Sequence, residues 1–115
     1  MEFNEHKPIY LQIADTLCDK VLAGEWSPED RIPSVRELGT ALGVNPNTIM
    51  RTYEHLQSLD IIFNKRGVGY FISSNAKETI ITAQKKQFLK EDLPKILKKM
   101  ELLGIKASEI FSEIE

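Results

Sequence analysis

The stretch Asn45-Pro46-Asn47-Thr48, with Arg51 one turn further on, holds the residue types in this chain that most directly suggest chemistry. That chemistry is recognition rather than bond-making. Asparagine pairs bidentately with adenine, threonine exchanges a hydrogen bond and touches a thymine methyl, and arginine reaches phosphate or guanine. A helix opening at these residues also points its free N–H groups toward an anion such as phosphate. Asn45 has a competing local use as a helix N-cap, which would occupy its side chain, so Asn47 is the better placed reader. Nothing comparable exists for catalysis: there is no P-loop, no G-x-S-x-G, no H-E-x-x-H and no Cys/His pair at a known spacing. His6 and His55 stand alone, without the neighbours a metal site needs. No catalytic residue, metal or cofactor is expected.

Composition sets the class. The chain has 115 residues, 42% apolar and 28% charged, which suits one small globular domain plus a short appendage. Apolar runs such as Ile61-Ile62-Phe63 fall far short of the ~20 residues of a membrane span, and the first eight residues lack the basic and apolar regions of a signal peptide. The single cysteine, Cys18, has no disulfide partner in the chain and sits among apolar residues of a helix. A cytoplasmic protein away from membranes is the expectation. The formal net charge of −2 argues at first sight against nucleic acid. Its distribution does not: residues 1–30 carry two basic side chains against seven acidic, residues 31–66 five against three, and residues 67–115 eight against seven.

The elements that position these residues follow from periodicity and punctuation. Ile9, Ile13, Leu17 and Val21 recur every four residues and predict a helix from Ile9 to Ala23, stopped by Gly24. Residues 25–33, with Pro28 and Pro33, read as a loop. Ser34 and Glu37 form a capping box for a second helix whose stripe is Val35, Leu38 and Leu42, ending at Gly43. Asn45 caps a third helix with Pro46 in its first position; Ile49, Tyr53, Leu56 and Leu59 make its apolar face and Asn47, Thr48, Arg51 and Glu54 the other. The period then changes to that of strands at 61–63 and 68–72 around an Asn64-Lys65-Arg66-Gly67 turn. Two helices joined by a tight turn and followed by a hairpin form a winged helix-turn-helix. The fold class is therefore mainly α with a small β-hairpin: a winged helix-turn-helix domain over residues 1–75, then a helical tail over 76–115. In the tail Leu89, Leu93, Ile96, Met100 and Leu103 are spaced 4, 3, 4, 3, a heptad seam. Pro94 either kinks one helix or follows Asp92 as the cap of a new one. Gly104 ends that helix, and Ile110, Phe111 and Ile114 mark a last one. With a complete small domain ahead of it, the tail has little to bury this seam against except a second copy, so the seam and Phe111 are expected at a homodimer interface.

Several stretches resemble the DNA-binding domain of GntR-family bacterial transcription regulators: Pro8-Ile-Tyr-Leu-Gln-Ile, Arg31-Ile-Pro-Ser-Val-Arg-Glu-Leu, Leu42-Gly-Val-Asn-Pro-Asn-Thr, Arg51-Thr-Tyr-Glu-His-Leu and Lys65-Arg-Gly-Val-Gly-Tyr-Phe-Ile. The Val-Asn-Pro-Asn-Thr form and the short tail resemble the YtrA-like branch. The resemblance implies an operator-binding homodimer, most often a repressor, on double-stranded DNA. It places Ser34 and Arg36 near phosphate and base edges, Asn45, Asn47 and Thr48 on the recognition helix, and Arg66 and Gly67, beside Lys65, at a wing tip that enters the minor groove. Forty tail residues leave no room for the large effector domains of other branches, so a deep effector pocket is not expected, and the effector is left open. Two positions depart from the common pattern. Asp60 stands where the family usually has glycine, and since aspartate tolerates the left-handed conformation the turn is expected to be kept with some strain; Pro46 stands where some other branches read bases with arginine. Residue by residue there are blander uses: Arg36 as an ion-pair partner of Glu37 or Glu54, Lys65 and Arg66 as solubilising charges, Gly67 as a turn former. A winged-helix module that docks proteins instead of DNA is the alternative reading.

Overall fold

The computed structural model describes residues 7–114; residues 1–6, with most of the expected arm and His6, lie outside it. The chain divides into two compact units, the first ending at Ile81 and the second beginning at Thr82. In the first unit α1 (Ile9–Leu22), α2 (Val35–Leu42) and α3 (Pro46–Ser58) precede a hairpin of β1 (Ile62–Lys65) and β2 (Gly69–Ile72). α4 (Ala76–Gln87) opens in this unit, where Ala76 and Ile80 are buried in its core.

α1 and α2 both pack on α3. The core joins Ile13, Leu17 and Val21 of α1, Leu38 of α2, Ile49, Tyr53 and Leu56 of α3, and Ile61, Ile62 and Ile72 of the wing. Cys18 is buried with them, and burial, reinforced by Asp15 and Asp19, pushes its thiol up to about 11. It is a small apolar filler, not a reactive thiolate. Three apolar residues counted on sequence as core are not: Ile9, Leu42 and Leu59 are exposed. Each stands at the end of a helix, where the stripe runs past the core it covers.

The wing pairs Ile62 with Ile72 and Lys65 with Gly69. Each strand starts one residue later than expected; β1 also runs on through Asn64 and Lys65, which were expected in the turn, and Val68 is exposed in the turn rather than paired. Gly67 has φ +80°, in the third position of a turn closed by Val68 N–H to the Lys65 carbonyl at 2.9 Å. That position calls for glycine in a type II turn. The segment expected as a loop before α2 in part joins the sheet. Glu29 N–H donates to the Ile72 carbonyl at 2.8 Å, Ile72 N–H to Asp30 at 3.0 Å, and Ile32 N–H to Tyr70 at 2.9 Å, with Arg31 bridged to Phe71. The free edge of β2 needs hydrogen-bond partners, and this segment supplies them.

In the second unit a π-helical turn, Phe88–Asp92, joins α4 to α5 (Leu93–Leu103), and α6 (Ala107–Ile114) follows. This settles the role of Pro94. Its ring would strike the carbonyl of Lys90 and it has no N–H to give, so the helix widens by one residue there. Leu93 N–H reaches back to the Phe88 carbonyl, five residues away. Asp92 is helical and makes no side-chain cap. Gly104, at φ +68°, ends α5, and Ile105 N–H closes onto the Met100 carbonyl at 2.9 Å.

Asp60 adopts φ +60°, the left-handed conformation expected there, while Ile61 N–H closes the end of α3 onto Leu56 at 3.0 Å. Glycine adopts this conformation without a Cβ penalty. Asp60→Gly is therefore expected to stabilise the chain by a few tenths to about 1 kcal/mol. The check is a raised urea midpoint at unchanged slope; a lowered midpoint would contradict it.

Candidate nucleic-acid interface

The turn between α2 and α3 is built by two glycines. Gly43 takes φ +66°, and Val44 N–H bonds back to the Gly39 carbonyl at 2.9 Å. Gly39 is buried in α2, and a Cβ there would fall 2.8 Å from the Val44 carbonyl oxygen. Only a bare backbone lets α3 leave this closely. Sequence reading passed over Gly39; the available signal was a glycine inside a helix, which costs about 1 kcal/mol unless packing needs it.

α2 and α3 are capped as expected. The Ser34 hydroxyl oxygen accepts from Glu37 N–H at 3.1 Å, and Ser34 N–H donates to Glu37 Oε1 at 3.2 Å. The Ser34 backbone N–H, then its hydroxyl, hold the Glu37 carboxyl below its ordinary range. Glu37 is thus engaged with the cap, and among the described residues Arg36 has no ion pair with it or with Glu54. Arg36 is exposed in the first turn of α2. Asn45 Oδ1 accepts from Asn47 N–H at 2.8 Å, so its oxygen is spent on the cap while its NH₂ stays available.

α3 buries Ile49, Thr52, Tyr53 and Leu56 and turns Asn47 and Arg51 outward, with Thr48 half-buried between. Two buried hydroxyls fix the helix. Thr52 Oγ1 lies 2.8 Å from the Tyr10 carbonyl and 3.1 Å from that of Thr48. Tyr53 donates its O–H to the Pro33 carbonyl at 2.6 Å and packs edge-on against Tyr70 of the wing, ring centres 4.9 Å apart. Burial pushes the Tyr53 hydroxyl far above its ordinary range, so it stays a donor at any physiological pH. Arg51 is not a freely moving cation: its guanidinium carbon sits 4.3 Å from the centre of the Tyr10 ring, which stands edge-on to His55. A cation over an aromatic face is held by the ring quadrupole. Tyr10 is therefore a positioning residue that sequence reading missed, since the pair forms only when α1 and α3 pack.

At the wing, Lys65 Nζ lies 4.9 Å from the centre of the Phe71 ring, which stacks on Phe63. Arg66 and Gly67 are exposed at the tip. Of the seam residues, Leu89, Ile96 and Leu103 are exposed, as is Phe111, and Leu93 and Met100 are half-buried. Among the described residues no group of His, Cys, Asp and Glu could hold a metal ion, and no helix is long and apolar enough to cross a membrane.

Gly39→Ala is expected to destabilise the chain by roughly 1–3 kcal/mol through overpacking, in spite of alanine's helix preference. Urea unfolding checks this; a stabilised variant would show that the turn opens freely.

The family model "Bacterial regulatory proteins, gntR family" matches residues 9–72, from the start of α1 to the end of the wing. The chain is 40% identical over 114 residues to the HTH-type transcriptional regulator YhcF of Bacillus subtilis, covering 99% of this chain and 93% of that protein. It is 36% identical over 108 residues to the HTH-type transcriptional repressor YtrA of the same organism, covering 94% and 82%. A solved GntR-family structure from Bacteroides thetaiotaomicron superposes with a TM-score of 0.77 at 48% identity, over 91% of each chain. The AraR DNA-binding domain solved in complex with operator ORR3 superposes with a TM-score of 0.57 at 27% identity, over 64% of this chain and 86% of that one. The likeness to YtrA spans domain and tail alike, as the short-tailed branch requires. From its capped recognition helix to its wing, the chain belongs to the gntR family of bacterial regulatory proteins.

Proposed function

We propose that this GntR-family transcription regulator binds operator DNA as a homodimer and acts as a repressor, in the cytoplasm and without catalysis. α3 enters the major groove with Asn47 and Thr48 toward base edges and Asn45 at the helix mouth. Ser34, Arg36 and Arg51 take phosphates or the bases beside them, and Lys65, Arg66 and Gly67 carry the wing tip to the minor groove. The observation that carries this reading is the division of α3: Ile49, Thr52, Tyr53 and Leu56 are buried in the core, and Asn47 and Arg51 face outward near the start of a helix-turn-helix whose Arg36 has no ion pair among the described residues. Two similarities support it: YtrA is a repressor by name, and the AraR domain was solved on an operator.

Arg36→Ala is expected to weaken binding to a cognate fragment by roughly 1–3 kcal/mol without unfolding the chain. Anisotropy titration and circular dichroism together check this. Wild-type affinity should also fall steeply with salt, because phosphate contacts release counterions. A flat salt response would favour the protein-docking module instead.

Homodimerisation rests on the tail. Leu93, Ile96, Met100 and Leu103 keep the 3-4-3 spacing along α5, Leu89 precedes them in the π turn, and none of the five is buried within the chain. An exposed stripe of this kind is a partner surface in a water-soluble chain, and Phe111 of α6 adds to it. Leu93→Asp combined with Met100→Asp should give monomers in sedimentation. A dimer that survives both changes would place the interface elsewhere.

A further inference from the structure

The outer face of the wing carries a cation that the operator-reading residues above do not include. Because opposite residues in an antiparallel ladder share a face, the pairings put Phe63, Lys65, Gly69, Phe71 and Arg31 together, while Ile62, Tyr70 and Ile72 face the core side. β2 is the central strand, with Lys65 opposite Gly69 on one edge and Arg31 opposite Phe71 on the other. The Arg31 side chain leans over Gly69: a Cβ at Gly69 would fall 2.9 Å from Arg31 Nε and 3.5 Å from its terminal nitrogen. The missing side chain is what lets the guanidinium lie there. Lys65 covers the Phe71 ring beside it. Arg31 is exposed, and among the described residues no carboxylate pairs with it. Glu37, whose charge it feels, is already committed to the cap of α2.

Resting on the DNA-binding reading above, we propose that Arg31 is a further operator contact: with Lys65 it clamps a backbone phosphate flanking the groove that the wing enters. A guanidinium held against a flat backbone is pre-organised for the bidentate fork that phosphate accepts, at less cost in side-chain freedom than a loose lysine. Its contact is with the backbone, so it strengthens binding to all sequences alike rather than selecting among them.

The test uses the full chain and two probes: a genomic fragment selected by the wild-type protein, and sonicated genomic DNA. Affinities are measured by anisotropy between about 50 and 200 mM salt. Arg31→Gln should weaken binding to both probes, by about tenfold for each engaged protomer. It should also make the log–log salt slope shallower by about one per protomer. Arg31→Lys should restore the slope, and both variants should keep the wild-type circular dichroism. A merely structural role in setting the wing would lower affinity for the selected fragment and leave the slope unchanged; that result overturns the proposal. Wild-type binding with Arg31→Gln indistinguishable from it overturns the phosphate contact alone. Failure of the wild-type chain to bind either probe overturns the DNA-binding reading, and the contact with it.

Discussion

The hydroxyl of Tyr53 lies 2.6 Å from the carbonyl oxygen of Pro33, with the tyrosine itself fully buried, and the geometry of the reading surface hangs on that contact. Pro33 directly precedes the cap of α2, Tyr53 belongs to α3, and its ring packs on Tyr70 of β2. One side chain thus joins the two helices of the helix-turn-helix and the wing. A buried hydroxyl without its acceptor is left with an unmet desolvation cost of about 1–3 kcal/mol, so any shift of one part away from the others is penalised. Thr52, bonded to the Tyr10 carbonyl, extends the same restraint to α1. Helices of eight and thirteen residues would be marginal alone; here the packing of α1 and α2 against α3 stabilises them and sets their relative angle together.

That restraint is what the proposed groove contacts of short polar side chains would need. Asn47 and Thr48 have little reach, so the backbone beneath them must be placed for them. The bare backbone of Gly39 against Val44 sets where α3 begins, and the Asn45 cap sets its first turn. Tyr10 then restrains Arg51, the longer side chain on the same face of α3, by its aromatic face. The modest positive charge of residues 31–66 fits the proposed function, in which placement rather than charge density would supply discrimination and a second protomer would multiply a weak single contact.

Much of the fold was legible because it is written in local chemistry. The Ser34–Glu37 box, the Asn45-Pro46 start, the Gly43 and Gly104 stops and the left-handed Asp60 all depend on residues within a few positions of one another. What escaped depends on partners far along the chain. Residues 29–32 join the sheet because β2 has an edge to satisfy, which no feature of the segment announces. Pro94 was visible as a disturbance, but the relief it finds, a π turn at Phe88–Asp92, is one of several a helix can choose. Ile9, Leu42 and Leu59 fit the apolar period and still lie exposed, since periodicity gives a face but not where the core ends. In the site, Arg36, Asn47 and the wing tip were legible as types at telling positions. The Tyr10–Arg51 and Arg31–Gly69 contacts were not, because each joins segments that only tertiary packing brings together.

In the proposed function, two copies of one reading surface, joined through the tail, address one operator. Selection of genomic fragments with the purified chain, followed by hydroxyl-radical footprinting of the enriched sites, tests it most directly. A homodimer on its operator should protect two symmetry-related half-sites on one face of the duplex, their centres about one helical turn or a whole multiple of it apart. Enrichment of a single unpaired half-site, or no enrichment over random fragments, would contradict it.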